Sequence, residues 1–188
     1  MKQKIQRRDK GYLAWKRKRE IIKTAIFFAV PVILFIAGYI TTKTRLNLLT
    51  VVAVLGMLPA SRSLVTLIMY LKSHGITEED YAVIAPYADK LTGGYDNVFT
   101  TYDKTYEVPS VVVRSGNVCG YSFGDQKMLN ALEKHLETSI KKDGYSVNVK
   151  IFDNIEAYKT RLESLNKLEE TQQEKDLAVL QILFDISL

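Results

Sequence analysis

The stretch TAIFFAVPVILFIAGYITT, residues 24–42, runs for nineteen residues without a charge. It is closed by Lys43-Thr44-Arg45 and followed at once by a second uncharged run, LNLLTVVAVLGMLPAS, residues 46–61. A helix rises about 1.5 Å per residue, and a bilayer core takes roughly 20 apolar residues to cross. A soluble core helix seldom stays apolar on every face for that length. The sequence therefore predicts a membrane α-helical hairpin, residues 21–72, with spans at about 21–42 and 46–71. Behind it, at 75–188, it predicts a cytoplasmic α/β (α+β) domain.

Charge divides the chain in the same place. Residues 1–72 carry fourteen Lys/Arg against Asp9 and Glu20, whereas residues 73–188 carry twelve against nineteen Asp/Glu. The basic segment 1–20 and the start of the first span hold ten of those cations, while only Lys43 and Arg45 sit between the runs. The positive-inside rule then puts both termini in the cytoplasm, at the cell (inner) membrane. Tyr12, Trp15 and Tyr39 lie where rings favour headgroup depth. The first run is too long for a signal-peptide core and lacks a small-residue cleavage site, so an uncleaved anchor is expected. Arg7, Arg8, Lys16, Arg17, Lys18, Arg19, Lys23 and Arg62 are expected to face anionic lipid headgroups, each worth about 1 kcal/mol near the surface. Residues 1–20 have a second reading as well, docking on the acidic domain. An acidic domain repels a phosphate backbone, which counts against nucleic acid as a partner.

The second span is interrupted by Arg62. Either the helix crosses by about residue 62 and continues at the interface, with a bend near Pro59, or one tilted helix runs to Leu71 with Arg62 buried; the first is preferred. Gly56 and Ala53 would let the two helices approach closely.

In the soluble part, Thr77 followed by Glu78-Glu79-Asp80 reads as a helix start, with Pro86 kinking the helix and Gly93-Gly94 ending it. Strand-like runs follow at about 97–102, 105–114 and 117–123, separated by turn chemistry and forming a meander. Val111-Val112-Val113 suggests a strand covered on both faces, with Pro109 at a bulge or edge-facing position. Asp125 should cap a helix at 126–142 whose face is Met128, Leu129, Leu132, Leu136 and Ile140. A strand at 147–151 and a helix at 154–171, opened by a capping box of Asp153 with Glu156, complete the order. The tail 174–188 fits a helix or a strand, the helix being favoured.

Chemistry-bearing residues are sparse. Cys119 is the one cysteine, and His74 and His135 are the two histidines, which leaves no multi-Cys metal site and no ligand-like spacing. No Walker loop, Gly-x-Ser-x-Gly elbow or His-Glu-x-x-His occurs, Ser110, Ser115 and Ser122 have no histidine nearby in sequence, and no cofactor is expected. From Thr77 onward the order helix, three-strand meander, helix, strand, helix resembles restriction-endonuclease-like domains. That resemblance implies an acid on the second strand and an acid-x-Lys on the third, holding a divalent metal that activates water. Here those stretches read Pro109-Ser110-Val111 and Cys119-Gly120-Tyr121-Ser122. Asp125-Gln126-Lys127 has the acid-x-Lys spelling but falls at the strand-to-helix turn, and Asp96, Asp103 and Glu107 are the other acids within reach.

Asn47–Gly56, Leu58-Pro59-Ala60-Ser61 and Val149-Lys150-Ile151-Phe152 also resemble two-span membrane proteins of Gram-positive, clostridia-type bacteria. The expected function is a membrane-anchored, non-catalytic interaction or scaffolding protein, with a protein partner or self-association. The alternatives are a membrane-tethered metal-dependent hydrolase and a small-molecule or lipid sensor.

Overall fold

Residues 6–44, 47–101, 104–168 and 172–188 are described by the computed structural model. Lys2, Lys4, Arg45, Asp103 and the far end of the helix expected at 154–171 lie outside them. The chain divides into two compact units: Ala14–Ser73, and His74–Leu188 together with the residues up to Leu13.

The first unit is built from α1 (Tyr12–Thr42, 31 residues) and α2 (Leu48–Lys72, 25 residues), both long and apolar enough to cross a membrane. They run antiparallel. The Arg17 guanidinium donates to the carbonyls of Tyr70 (3.1 Å) and Ser73 (2.7 Å), and the hydroxyls of Thr24 and Ser63 bond at 2.8 Å. Gly56 lies against Pro31, and Ala53 and Ala60 are buried between the helices. The outward residues, among them Ile22, Ile33, Ile40 and Leu58, are exposed. Helix α2 runs on through Pro59 and Arg62 without interruption, and Arg62 is exposed. Asn47 caps it, accepting from the Thr50 N–H at 2.9 Å.

The second unit is a four-stranded mixed sheet with helices on both faces. Strands β1 (Thr92–Thr100), β2 (Thr105–Arg114) and β3 (Asn117–Tyr121) form an antiparallel meander. Helix α4 (Gln126–Lys142) then crosses over to β4 (Asn148–Phe152), which lies parallel to β3, so the order is β1-β2-β3-β4. One face is covered by α4 and α6 (Gln173–Ile186), whose Leu129, Leu132, Leu136, Ile140, Leu180 and Leu183 pack on Val111, Val113, Val118, Val149 and Ile151. The other is covered by α3 (Glu78–Ala88) and α5 (Ile155–Asn166), whose Ile84, Tyr158, Leu162 and Leu165 pack on Tyr95, Val112, Cys119 and Tyr121. The run Val111–Val113 thus alternates between two buried faces, and the tail is the helix α6.

Several boundaries depart from the sequence reading. The glycine pair Gly93-Gly94 does not stop a helix: it lies inside β1, where a Cβ on Gly93 would sit 2.5 Å from the Val111 carbonyl oxygen. Helix α5 is capped by Asn154, whose side chain accepts from the N–H groups of Glu156 (2.8 Å) and Ala157 (3.2 Å), and not by Asp153. It ends at Asn166, well short of 171. Asp125 occupies the N-cap position of α4, but its side chain makes no capping bond.

The sheet also carries a shared irregularity. Asp96 has φ +59° and no ladder partner, and opposite it stands Pro109, which has no N–H to give. Tyr95 and Phe99 have the same strand parity, yet Tyr95 packs toward α3 and α5 and Phe99 toward α4 and α6. Both strands switch faces here. Val108 packs on the α4/α6 side, whereas Ser110 bonds to Tyr158 on the other.

Candidate functional site

The switch point at Asp96 is also where the chain on either side of the hairpin is fastened. A left-handed conformation suits Asp better than most residues, and it turns this side chain off the strand. The carboxylate is 8% exposed. Its Oδ2 accepts from the N–H of Gly11 at 2.7 Å and its Oδ1 from the N–H of Ile76 at 2.8 Å. A Cβ on Gly75 would lie 2.5 Å from that Oδ1, so glycine is what admits the carboxylate. One buried anion thereby joins three segments far apart in sequence, through the charge-assisted bonds that are the stronger kind.

Residues 6–11 form a strap along the outer edge of β1. The Arg8 carbonyl accepts from the Tyr95 N–H at 3.3 Å, and the Arg8 Nε donates to the Gly93 carbonyl at 3.0 Å. The Arg7 Nη2 donates to the Ser187 carbonyl (2.8 Å), the Ser187 hydroxyl (2.8 Å) and the Leu188 carbonyl (3.1 Å), with its guanidinium 5.6 Å from the Phe184 ring centre. Lys10 pairs with Glu78, and its ammonium sits 4.1 Å from the Tyr81 ring centre. Further along the same edge, the Leu188 N–H donates to the Val98 carbonyl at 2.9 Å.

Beneath the strap lies a cleft of about 530 Å³, walled by Arg8, Lys10, Tyr81, Asp89 and Tyr95 and floored by β2. Its polar groups are largely engaged with one another. The Tyr95 hydroxyl donates to Asp89 at 2.6 Å, and burial together with that carboxylate pushes its pKa far above the tyrosine range.

The opposite edge of the sheet is closed differently. The outward N–H groups of Val149 and Ile151 on β4 donate to Glu137 (3.1 Å) and Glu133 (2.8 Å), four residues apart on α4. Lys150 pairs with Glu133 at 3.1 Å. Asp176, 2% exposed, accepts from the Ser115 N–H at 2.9 Å and holds the β2–β3 turn.

The acids and lysine singled out from sequence are dispersed among separate tasks. Asp96 is the fastener. Glu107 lies 3.6 Å from the His74 Nδ1, while its backbone carbonyl accepts from the Ser122 hydroxyl at 2.6 Å. Asp125 opens α4 through its backbone carbonyl, which accepts from Met128 and Leu129. Lys127 lines a shallow cleft with Lys104, Tyr106 and His135. Asp103 is outside the described residues. Among the described residues, no three His, Cys, Asp or Glu side chains gather as a metal site requires. Ser110 and Tyr158 are fully buried partners at 3.0 Å, and burial pushes the Cys119 thiol up, against the pull of Arg161.

The basic residues separate just as clearly. Arg7 and Arg8 are held by the sheet unit, and Arg17 by carbonyls within the hairpin unit. Arg19 stacks on Trp15 at 4.7 Å, and Lys23 pairs with Glu20 at 3.2 Å. Lys16 and Lys18 enter no described bond. Docking on the acidic domain is the second reading of residues 1–20, and residues 6–11 do lie against it; Glu133, Glu137 and Asp176 were missed by sequence reasoning. The one usable signal was the four-residue spacing of the two glutamates.

Comparison with protein-family models, curated proteins and solved structures gives no match.

Proposed function

We propose that this chain is a membrane-anchored interaction or scaffolding protein of the bacterial inner membrane. Helices α1 and α2 cross as a hairpin, with both termini and the sheet unit on the cytoplasmic side. Supporting the membrane part are two helices of 31 and 25 residues whose outward faces are apolar. The orientation follows from the cations clustered ahead of α1. Lys16, Lys18 and Arg19 are assigned to anionic headgroups, while Arg17 is held by carbonyls within the hairpin.

The observation that carries the non-catalytic reading is how the buried carboxylates of the sheet unit are employed. Asp96 and Asp176 accept from backbone N–H groups, as do the shielded Glu133 and Glu137. A general base or metal ligand needs its lone pairs free for substrate or ion; these are occupied in holding the fold. Partner binding is then left to surfaces, and self-association is one form it can take.

The test uses the full chain reconstituted in lipid. With magnesium or manganese present, the expected result is no cleavage of DNA or RNA and no metal-dependent rise in melting temperature. Cleavage that disappeared in Asp125→Ala or Lys127→Ala would overturn the reading in favour of a tethered hydrolase. A tag after Leu188 that reacted from outside intact cells would overturn the orientation.

A further inference from the structure

We propose that the strap, Gln6–Lys10, is a cover on the β1 edge that an anionic lipid surface competes to remove. Its contacts with the sheet unit are of the kind that anionic lipid can replace. A single backbone rung joins it to β1, and at 3.3 Å this lies at the weak end of the range. Arg8 is exposed and donates to a neutral carbonyl. Lys10 pairs with a glutamate whose side chain is 86% exposed, so water and salt screen the pair. Arg7 has three acceptors: the carbonyl and hydroxyl of Ser187, both neutral, and at the longer distance of 3.1 Å an oxygen of the last residue, Leu188. Phosphate oxygens of a headgroup offer the same three cations acceptors that carry charge.

Position makes the competition direct. Gly11, with φ +85°, ends the strap and is pinned to Asp96, and α1 begins at the next residue. If α1 crosses the membrane from about residue 21, as the proposed function has it and this inference requires, nine helical residues, roughly 14 Å, separate the strap from the hydrocarbon and hold it within reach of the headgroup layer. A cation near an anionic leaflet favours the surface-bound state about fivefold, so three shift the balance by roughly a hundredfold at most. The Gly11–Asp96 bond acts as the hinge. Lifting Gln6–Lys10 about it uncovers the Gly93 carbonyl and the Tyr95 N–H, an open strand edge suited to pairing with another chain.

The test compares amide hydrogen exchange of the full chain in nanodiscs of phosphatidylcholine with discs of equal parts phosphatidylcholine and phosphatidylglycerol. Exchange at the Tyr95 amide should rise at least about fivefold in the anionic discs, while the Ile151 amide at the β4 edge stays unchanged. In the double variant Arg8→Gln with Lys10→Gln, the response to lipid should shrink. Equal exchange at Tyr95 in both discs, or slower exchange in the anionic ones, would overturn the inference while leaving the membrane reading intact. So would a rise shared by Ile151, which would report general loosening. A chain that entered neither disc would overturn both.

Discussion

At the β4 edge, two glutamates one turn apart on a single helix close the ladder; at the β1 edge, backbone and side chains from residues 7–8 and 187–188 do so. The first closure is local. Helix α4 precedes β4 in the same crossover, and placing it on the sheet delivers Glu133 and Glu137 without further ordering. The second needs segments separated by up to 181 residues to meet. Both answer the same hazard, since an open strand edge invites pairing with other chains. They differ in what can undo them: losing the β4 seal takes a change of residue, whereas the strap part of the β1 seal can lift off as a piece.

Mutations put that contrast to the test. The largest effect is expected at Asp96. Replacement by Ala leaves the N–H groups of Gly11 and Ile76 without their carboxylate, which should cost about 3–6 kcal/mol at roughly 1.5–3 per bond to a charged group. Urea unfolding followed through the tyrosine near-UV signal would show it. A cost below that of the glutamate pair would mean that the β1 side is not the one fastened by long-range contacts. Glu133→Ala with Glu137→Ala should cost about 2–3 kcal/mol, because the orphaned groups can reach water at an edge. The same double variant should self-associate in sedimentation, since it exposes a strand. Arg7→Ala should cost about 1–2 kcal/mol and speed exchange at the Leu188 amide, leaving Ile151 untouched.

A further effect is set by pH. Burial raises the hydroxyls of Tyr95 and Tyr158 above their unfolded value, so both stay protonated in the folded unit after the unfolded chain has begun to ionise. Their contribution is fully present below about pH 10 and lost as pH rises beyond it, by about 1.4 kcal/mol per unit for each tyrosine. Burial raises Tyr121 and Cys119 as well, so Tyr95→Phe should lower the alkaline slope in a pH series of melts without abolishing it.

How far the sequence could be read depends on the distance over which each feature is decided. The face of α4 is written at helical spacing in Met128, Leu129, Leu132, Leu136 and Ile140, and the last four are fully buried. The two long apolar helices, the meander and the both-sided burial of Val111–Val113 are equally local and equally legible. Gly93-Gly94 misled because glycine marks both a chain stop and a close approach, and only the neighbouring Val111 carbonyl distinguishes them. The face switch at Asp96 and Pro109 defeats period-two reading, because it needs both strands in register. The strap is the furthest from legible. Gln6-Arg7-Arg8-Asp9-Lys10 could be read as a basic run docking on the acidic domain, but not where, because most acceptors of its arginines are backbone oxygens, which carry no residue signature.

Asp96 ties Gly11 to Ile76, and this has a consequence for synthesis. The strap leaves the ribosome first, but β1, α6 and Leu188, which receive it, are among later products. At about 5–20 residues per second, Arg7 waits roughly ten to forty seconds for its acceptors. Throughout that interval its charge is free to be caught by whatever polar surface is nearest, so the final docking of the unit is a late event in the life of each nascent chain.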